Sequence, residues 1–175
     1  LRSLVGTVNE AASFGILENT EVVYIERVQA GLIRLGVDVR VGTRIPAYYS
    51  AIGHVIMAHM PRDQVRALLE ASNRVKLTPK MQVSIAQIER KIDQARKRGY
   101  TVSDGDIAKG LRILAVPALD SSGSALGSLS VAAPSMRMPL EQFVESALAP
   151  LQQVAQDFRR ALSAAGQTLQ QSNAG

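Results

Sequence analysis

A chain of 175 residues, 46% hydrophobic and 20% charged, is long enough for one domain with a real core and short for two. That balance excludes a wholly disordered polymer, and the absence of cysteine excludes a disulfide framework, a thiolate metal site and a cysteine nucleophile. The net charge of +5 is concentrated: ten Lys/Arg stand against four Asp/Glu between Arg62 and Arg98, so the rest of the chain is near neutral.

The opening Leu1-Arg2-Ser3-Leu4-Val5 is too short and too mixed for a signal peptide. No stretch approaches the roughly 18 apolar residues that span a bilayer. A cysteine-free chain of this kind fits a reducing cytoplasm, and with leucine as its first residue it reads as an excised fragment. Three strands are expected in the first quarter. Ser13–Leu17 leads through a polar turn, Glu18-Asn19-Thr20, into Glu21–Val28, which is rich in β-branched residues. After Ala30-Gly31, residues Leu32 to Val41 alternate with period two, Ile33, Leu35, Val37, Val39 and Val41 on one side. Short connections favour antiparallel hairpins.

The middle of the chain reads as helical. Ser50 is placed to cap a helix from Ala51 to about Met60, and Pro61 ends it and opens a second helix to about Ser72. Thr78-Pro79 repeats the device, a capping threonine followed by proline in the first turn. The third helix then carries Met81, Ile85, Ile88, Ile92 and Ala95 on one stripe, with Gly99 where a left-handed C-terminal cap belongs. Two further strands, Leu111–Leu119 and Ala125–Ala133, flank the turn Asp120-Ser121-Ser122-Gly123-Ser124. A last helix begins near Pro139 with Phe143, Ala147, Leu151, Val154, Phe158 and Leu162 on one face. Pro150 falls inside it and is expected to kink or interrupt it. No internal repeat is present. This order of strands and helices implies an α+β domain, one mostly antiparallel sheet with helices packed on it.

The residues of catalysis are sparse. His54 and His59 are the two histidines, five apart on different faces of one helix, unlike the i, i+4 pair of a zinc helix, and read as surface or partly buried side chains. Asp104 and Asp106 resemble the start of a calcium loop without its remaining ligands, and a turn with local bonds explains them as well. No phosphate-binding loop or nucleophile elbow occurs. The basic stretch from Arg62 to Arg98 reads as a solvated helix face, since no aromatics interleave with the charge, though it suits a domain tethered beside a DNA reader. One stretch has binding character. At the Ser50-Ala51-Ile52-Gly53 helix start, free backbone N–H groups and small side chains favour an anion. The same small residues equally permit tight packing.

Three blocks resemble the IclR (isocitrate lyase regulator) family of transcription factors. The first is Val41-Gly42-Thr43-Arg44-Ile45-Pro46 followed by Ser50-Ala51-Ile52-Gly53-His54-Val55-Ile56-Met57-Ala58. The second is Arg98–Asp104 with Lys109–Pro117, and the third is Ala125–Pro134. Order and separations match from about Ala11 to Ala164. Two departures stand out: His54 sits where lysine or arginine is common, and Gly105 replaces an acidic residue. The first block and Gly110–Pro117 lean toward the branch that regulates protocatechuate and hydroxybenzoate catabolism.

The resemblance implies a GAF-like (profilin-like) fold, a sheet of about six antiparallel strands with flanking helices. Residues 1–10 would end a linker helix from a winged helix-turn-helix domain, 11–165 would form the effector-binding domain, and 166–175 a polar, disordered tail. It implies a sensor of small organic or aromatic acids rather than an enzyme, a homodimer or homotetramer that meets operator DNA through the winged helix-turn-helix domain. No cofactor, metal or membrane is expected. The implied effector pocket comprises Ile45, Ser50, Ala51, Ile52, Ser103, Leu111, Ile113, Ser130 and Ala132. Arg34, on the polar side of its expected strand, reads first as a surface cation and second as a partner for a ligand carboxylate. The rival implication is a GAF-like assembly module with no physiological ligand.

Overall fold

The computed structural model of the chain describes residues 1–29, 39–76, 78–79, 81 and 83–172, the side chains of 166–172 excepted. Six strands form one sheet: β1 (Ala11–Glu18), β2 (Glu21–Val28), β3 (Arg44–Pro46), β4 (Thr101–Asp104), β5 (Leu111–Leu119) and β6 (Ala125–Pro134). Their order is β3-β2-β1-β6-β5-β4, and every neighbouring pair is antiparallel. The β1–β2 hairpin turns at Asn19, whose φ of 55° lies in the left-handed region that asparagine tolerates. The β5–β6 turn is held by Asp120, whose carboxylate accepts from the Ser122 and Ser124 backbone N–H groups and from the Ser122 hydroxyl. Those bonds hold the exposed Asp120 carboxyl below its ordinary pKa.

Helices cover both faces of the sheet. On one face, α1 (Arg2–Val8) and α5 (Leu140–Ser172) bury Leu4, Phe143, Ala147 and Leu151 against Leu114, Val116, Leu129 and Val131. On the other, α2 (Ala51–Met57) lies on β5 and β6, with α3 (Arg62–Ala71) and α4 (Ile85–Arg98) beyond it. Ile52, Val55, Leu69, Ile88 and Ile92 meet Ile113, Ala115 and Ala132 there. Alternation along each central strand divides its residues between these two cores, as a period of two requires. Among the described residues, no helix is long and apolar enough to cross a membrane.

Four local expectations are modified. Most of the Leu32–Val41 strand lies outside the described residues, and Val39 to Val41 are not strand; the chain rejoins the sheet at β3. α2 ends at Met57, three residues before Met60. Thr78-Pro79 does not open α4, which starts at Ile85 behind Ser84. The Thr78 hydroxyl instead donates to the Asp106 carbonyl, so tertiary contact takes the group that a cap would have used. Met81 is still buried, but outside the helix, while Ile88, Ile92 and Ala95 form the buried stripe and Gly99 closes it at φ 74°. Pro150 does not interrupt α5. A mid-helix proline costs about 3 kcal/mol. Burial of Phe143 and Leu151 on either side offsets it, at about 1.5–3 kcal/mol for each large apolar side chain. The helical backbone continues through residue 172.

Candidate functional site

The loop into α2 is built by short-range bonds. Ile45 pairs with Val22 in the β2–β3 ladder, and Arg44 pairs with Glu18 and Glu21 at its exposed edge. Pro46 has no N–H to donate, and the ladder passes to Ala47, whose N–H donates to the Thr20 carbonyl over 2.9 Å. A 3₁₀ turn, Ala47–Tyr49, leads to Ser50 in extended conformation. The Ser50 hydroxyl accepts from the Gly53 N–H over 3.3 Å, the cap expected of it.

Gly53 has a separate structural duty. A Cβ placed on it would lie 2.3 Å from the Ala47 carbonyl oxygen, so the 3₁₀ turn folds back onto α2 only because glycine stands there. Tyr48 is buried in the same turn, its hydroxyl donating to the Val75 carbonyl (2.7 Å) and accepting from the Val75 N–H (2.9 Å). His54, expected at or near the surface, is fully buried instead, its Nε2 2.7 Å from the Tyr48 carbonyl oxygen. Burial pushes the imidazole pKa down to about 4, so the ring is neutral. The sequence could not show this, because the folded-back turn brings the helix's outer side against protein.

Under α2 lies one face of the sheet. The register aligns Ser103, Ile113, Ala132 and Ala11 in one row across β4, β5, β6 and β1. The adjacent row runs Thr101, Ala115, Ser130, Ser13 and Arg27. Ala51, Ile52, Leu111, Ile113 and Ala132 belong to one buried cluster, with Ile45 partly buried at its margin. Ser50, Ser103 and Ser130 are buried as well. Ser103 is 4% exposed and Ser130 3%, and neither hydroxyl has a hydrogen-bond partner among the described residues.

One pair on this face escapes a reading of the sequence. Arg27 Nη1 donates to the Ser13 hydroxyl over 2.9 Å. Strict alternation would put Arg27 on the face opposite Tyr24. The register slips by one residue where Gly15 faces Tyr24 and Phe14 faces Glu26, and this bulge returns Arg27 to the side of Tyr24. Burial pushes the Tyr24 phenol up to about 12, against the opposing pull of the Arg27 charge. Arg34, the cation considered from sequence, lies outside the described residues.

The remaining candidates serve structure. Asp104 pairs with Arg112 (3.0 Å) and Asp106 with Lys91 (2.9 Å), so the acidic turn ties β4 to β5 and to α4. Among the described residues, no three His, Cys, Asp or Glu side chains gather as a metal site would require. A surface groove of about 270 Å³ between α3 and α4 is crossed by Arg62–Asp93 and Arg66–Glu89 ion pairs, a charge-balanced arrangement.

Residues 1–160 match the family described as the bacterial transcriptional regulator IclR C-terminal domain. The chain is 31% identical over 145 residues to the HTH-type transcriptional regulator KdgR of Escherichia coli K12, covering 83% of this chain and 55% of that protein. The crystal structure of the KdgR C-terminal domain superposes with a TM-score of 0.82 at 28% identity, covering 92% of each chain. The Pca regulon regulatory protein of Pseudomonas putida is 32% identical over 123 residues, 70% of this chain and 42% of that one. A transcriptional regulator from Rhodococcus sp. RHA1 reaches a TM-score of 0.89 at 29% identity, over 94% of this chain and 67% of its own. The chain thus spans about half the length of the curated relatives it matches.

Proposed function

Because the chain belongs to the IclR family of bacterial transcriptional regulators, as its C-terminal domain, we propose that it senses a small organic or aromatic acid. One observation carries this reading: Ser103 and Ser130, buried residues whose hydroxyls make no hydrogen bond among the described residues, stand among apolar residues beneath α2. A hydroxyl without a protein partner in apolar surroundings has a donor and lone pairs to offer a ligand or a water. Apolar walls with a few convergent polar groups are the composition of a small-molecule site. Ile45, Ser50, Ala51 and Ile52 would form its upper wall, and Ser103, Leu111, Ile113, Ser130 and Ala132 its floor.

An acid bound there favours the arrangement of α2 and sheet in which its contacts are best. That differential affinity is the only means by which it can bias a distant DNA reader. In the whole protein, the reader would be a winged helix-turn-helix domain on operator DNA, the assembly a cytoplasmic homodimer or homotetramer, and the domain a binder rather than a catalyst. The runner-up, an assembly module with no ligand, draws on Gly53, since its fit against Ala47 explains the small residues of α2 without an anion.

The test is a thermal-shift titration of the chain with glyoxylate, pyruvate, protocatechuate and 4-hydroxybenzoate. A bound acid raises the melting temperature progressively above its dissociation constant. The expected result is a saturable shift with one chemical class that Ala132→Leu, filling the floor, removes. Flat curves across the panel would leave the assembly module as the better reading.

A further inference from the structure

We propose that the outward face of α4 is a docking surface for duplex DNA, held by the phosphate backbone and not by base sequence. The proposal rests on the reading above in one respect: a DNA reader in the same polypeptide would raise the local concentration of duplex around this domain. Its first support is the fate of the basic stretch from Arg62 to Arg98, ten cations against four anions. Arg62 and Arg96 pair with Asp93, and Arg66 pairs with Glu70 and Glu89. Lys91 pairs with Asp106, and Arg74 donates to the backbone carbonyls of Leu69, Ser72 and Val83. Both carboxylates of α4, Glu89 and Asp93, are thus occupied by arginines. Arg90, Lys97 and Arg98 are exposed and have no ion pair or hydrogen bond among the described residues.

The second support is placement. Ile88, Ile92 and Ala95 form the buried stripe of α4. At about 100° per residue, Arg90 and Lys97 fall opposite that stripe, roughly 10 Å apart along the axis with Gln94 between them. The helix dipole favours cations in the last turn and accounts for Lys97 and Arg98, but Arg90 lies about two turns earlier. The third support is donor chemistry. The exposed positions of α4 hold cations, two glutamines and one alanine, and no carboxylate. Phosphate oxygens only accept, and arginine, lysine and glutamine side chains donate to them. Single-stranded bases stack on aromatic side chains, of which α4 has none, so the duplex is the better match. A contact too weak to hold DNA alone gains weight when the duplex is already tethered, because its binding becomes intramolecular.

The experiment titrates the 175-residue chain into a labelled duplex of about 20 base pairs and follows anisotropy between about 20 and 200 mM salt. Three phosphate contacts predict that log affinity falls against log salt with a slope of about −3. The triple variant Arg90→Gln, Lys97→Gln, Arg98→Gln should weaken binding at low salt at least about tenfold and remove most of that slope. Glutamine matches arginine and lysine in helix propensity, so α4 should persist, which far-UV circular dichroism checks. A second triple variant, Arg2→Gln, Arg159→Gln, Arg160→Gln, removes the same charge from α1 and α5 on the other face of the sheet. It should change the affinity less than about twofold. No binding by the unmodified chain at the lowest salt overturns the proposal. So does equal weakening by the two triple variants, which would make net charge the whole cause. Poly-glutamate that displaces the duplex at equal charge concentration also overturns it and assigns the face to an acidic protein. Acid binding is read by the separate thermal-shift titration, so either proposal can fail alone.

Discussion

The imidazole of His54 lies buried, 2.7 Å from the backbone carbonyl of Tyr48, six residues earlier in the chain, where the 3₁₀ turn folds back onto α2. A carbonyl oxygen can only accept, so Nε2 carries the proton and the buried ring is held as the neutral tautomer. Ala47, one residue before Tyr48, touches Gly53, one residue before His54. The 3₁₀ turn and the first turn of α2 are thus clamped twice.

Stability should depend on pH through His54. Its pKa is about 4 folded against 6.5 unfolded, with desolvation as the main cause and smaller influences from Lys91 and Asp106. Between those values the unfolded chain takes up a proton that the folded one refuses, so stability is full above pH 6.5 and falls as pH drops toward 4. A gap of this width is worth on the order of 3 kcal/mol. Urea unfolding across that window measures the slope. His54→Gln should flatten most of it, leaving the smaller part due to His59, which burial also lowers.

Gly53→Ala should destabilise the domain by about 2–3 kcal/mol or more, since overpacking against fixed backbone has no side chain to yield. Gly6→Ala in α1, where an added Cβ meets nothing within 4 Å, should stabilise by up to about 1 kcal/mol through helix propensity. Thermal melts of the two variants give opposite signs if the 3₁₀ turn packs on α2 as described. A Gly53→Ala protein as stable as the unmodified chain would contradict that packing.

Tyr48→Phe removes a hydroxyl that bonds both the N–H and the carbonyl of Val75. Val75 is 49% exposed, so its freed backbone groups can meet water. The expected loss is about 1–2 kcal/mol, the net worth of two neutral hydrogen bonds. Denaturant midpoints at constant slope would measure it.

Glu10 supplies a second pH signature of opposite sense. It is buried beside Arg137, which bonds one carboxylate oxygen at 2.8 Å, while Oε2 has no partner. Desolvation therefore outweighs Arg137 and raises its pKa. The folded state holds the Glu10 proton more firmly than the unfolded state, so ionisation at neutral pH costs stability, and that cost vanishes as pH falls through the raised value. Glu10→Gln should match or exceed the unmodified chain in stability at pH 7 and lose this advantage in acid. A variant less stable at pH 7 would show that the Arg137 pair dominates.

Much of the scaffold was legible because local rules and tertiary packing agree. Glu18-Asn19-Thr20 turns the first hairpin, Asp120–Ser124 the last, and Ser50 caps α2. Ile88, Ile92 and Ala95 were marked as core by their spacing, and they are. Thr78-Pro79 misled because a good cap motif competes with a tertiary acceptor, here the Asp106 carbonyl. Pro150 does not interrupt α5, since packing on both sides outweighs one missing bond.

By itself, the sequence determined the family and fold class, the strands and helices with strong periodicity, and the small, hydroxyl-bearing residues of the α2 region. These are properties of neighbouring residues, where a repeat of two or 3.6 decides which side chains share a face. Only the tertiary structure decided that Ser13, Arg27 and Ser130 stand in one row, and that His54 is buried. The row depends on pairing between strands more than a hundred residues apart and on a bulge that reverses the alternation of β2. Burial of His54 depends on a turn folding back onto its own helix. Neither relation leaves a periodic trace along the chain, because each is a contact between surfaces whose phase is fixed only when they meet.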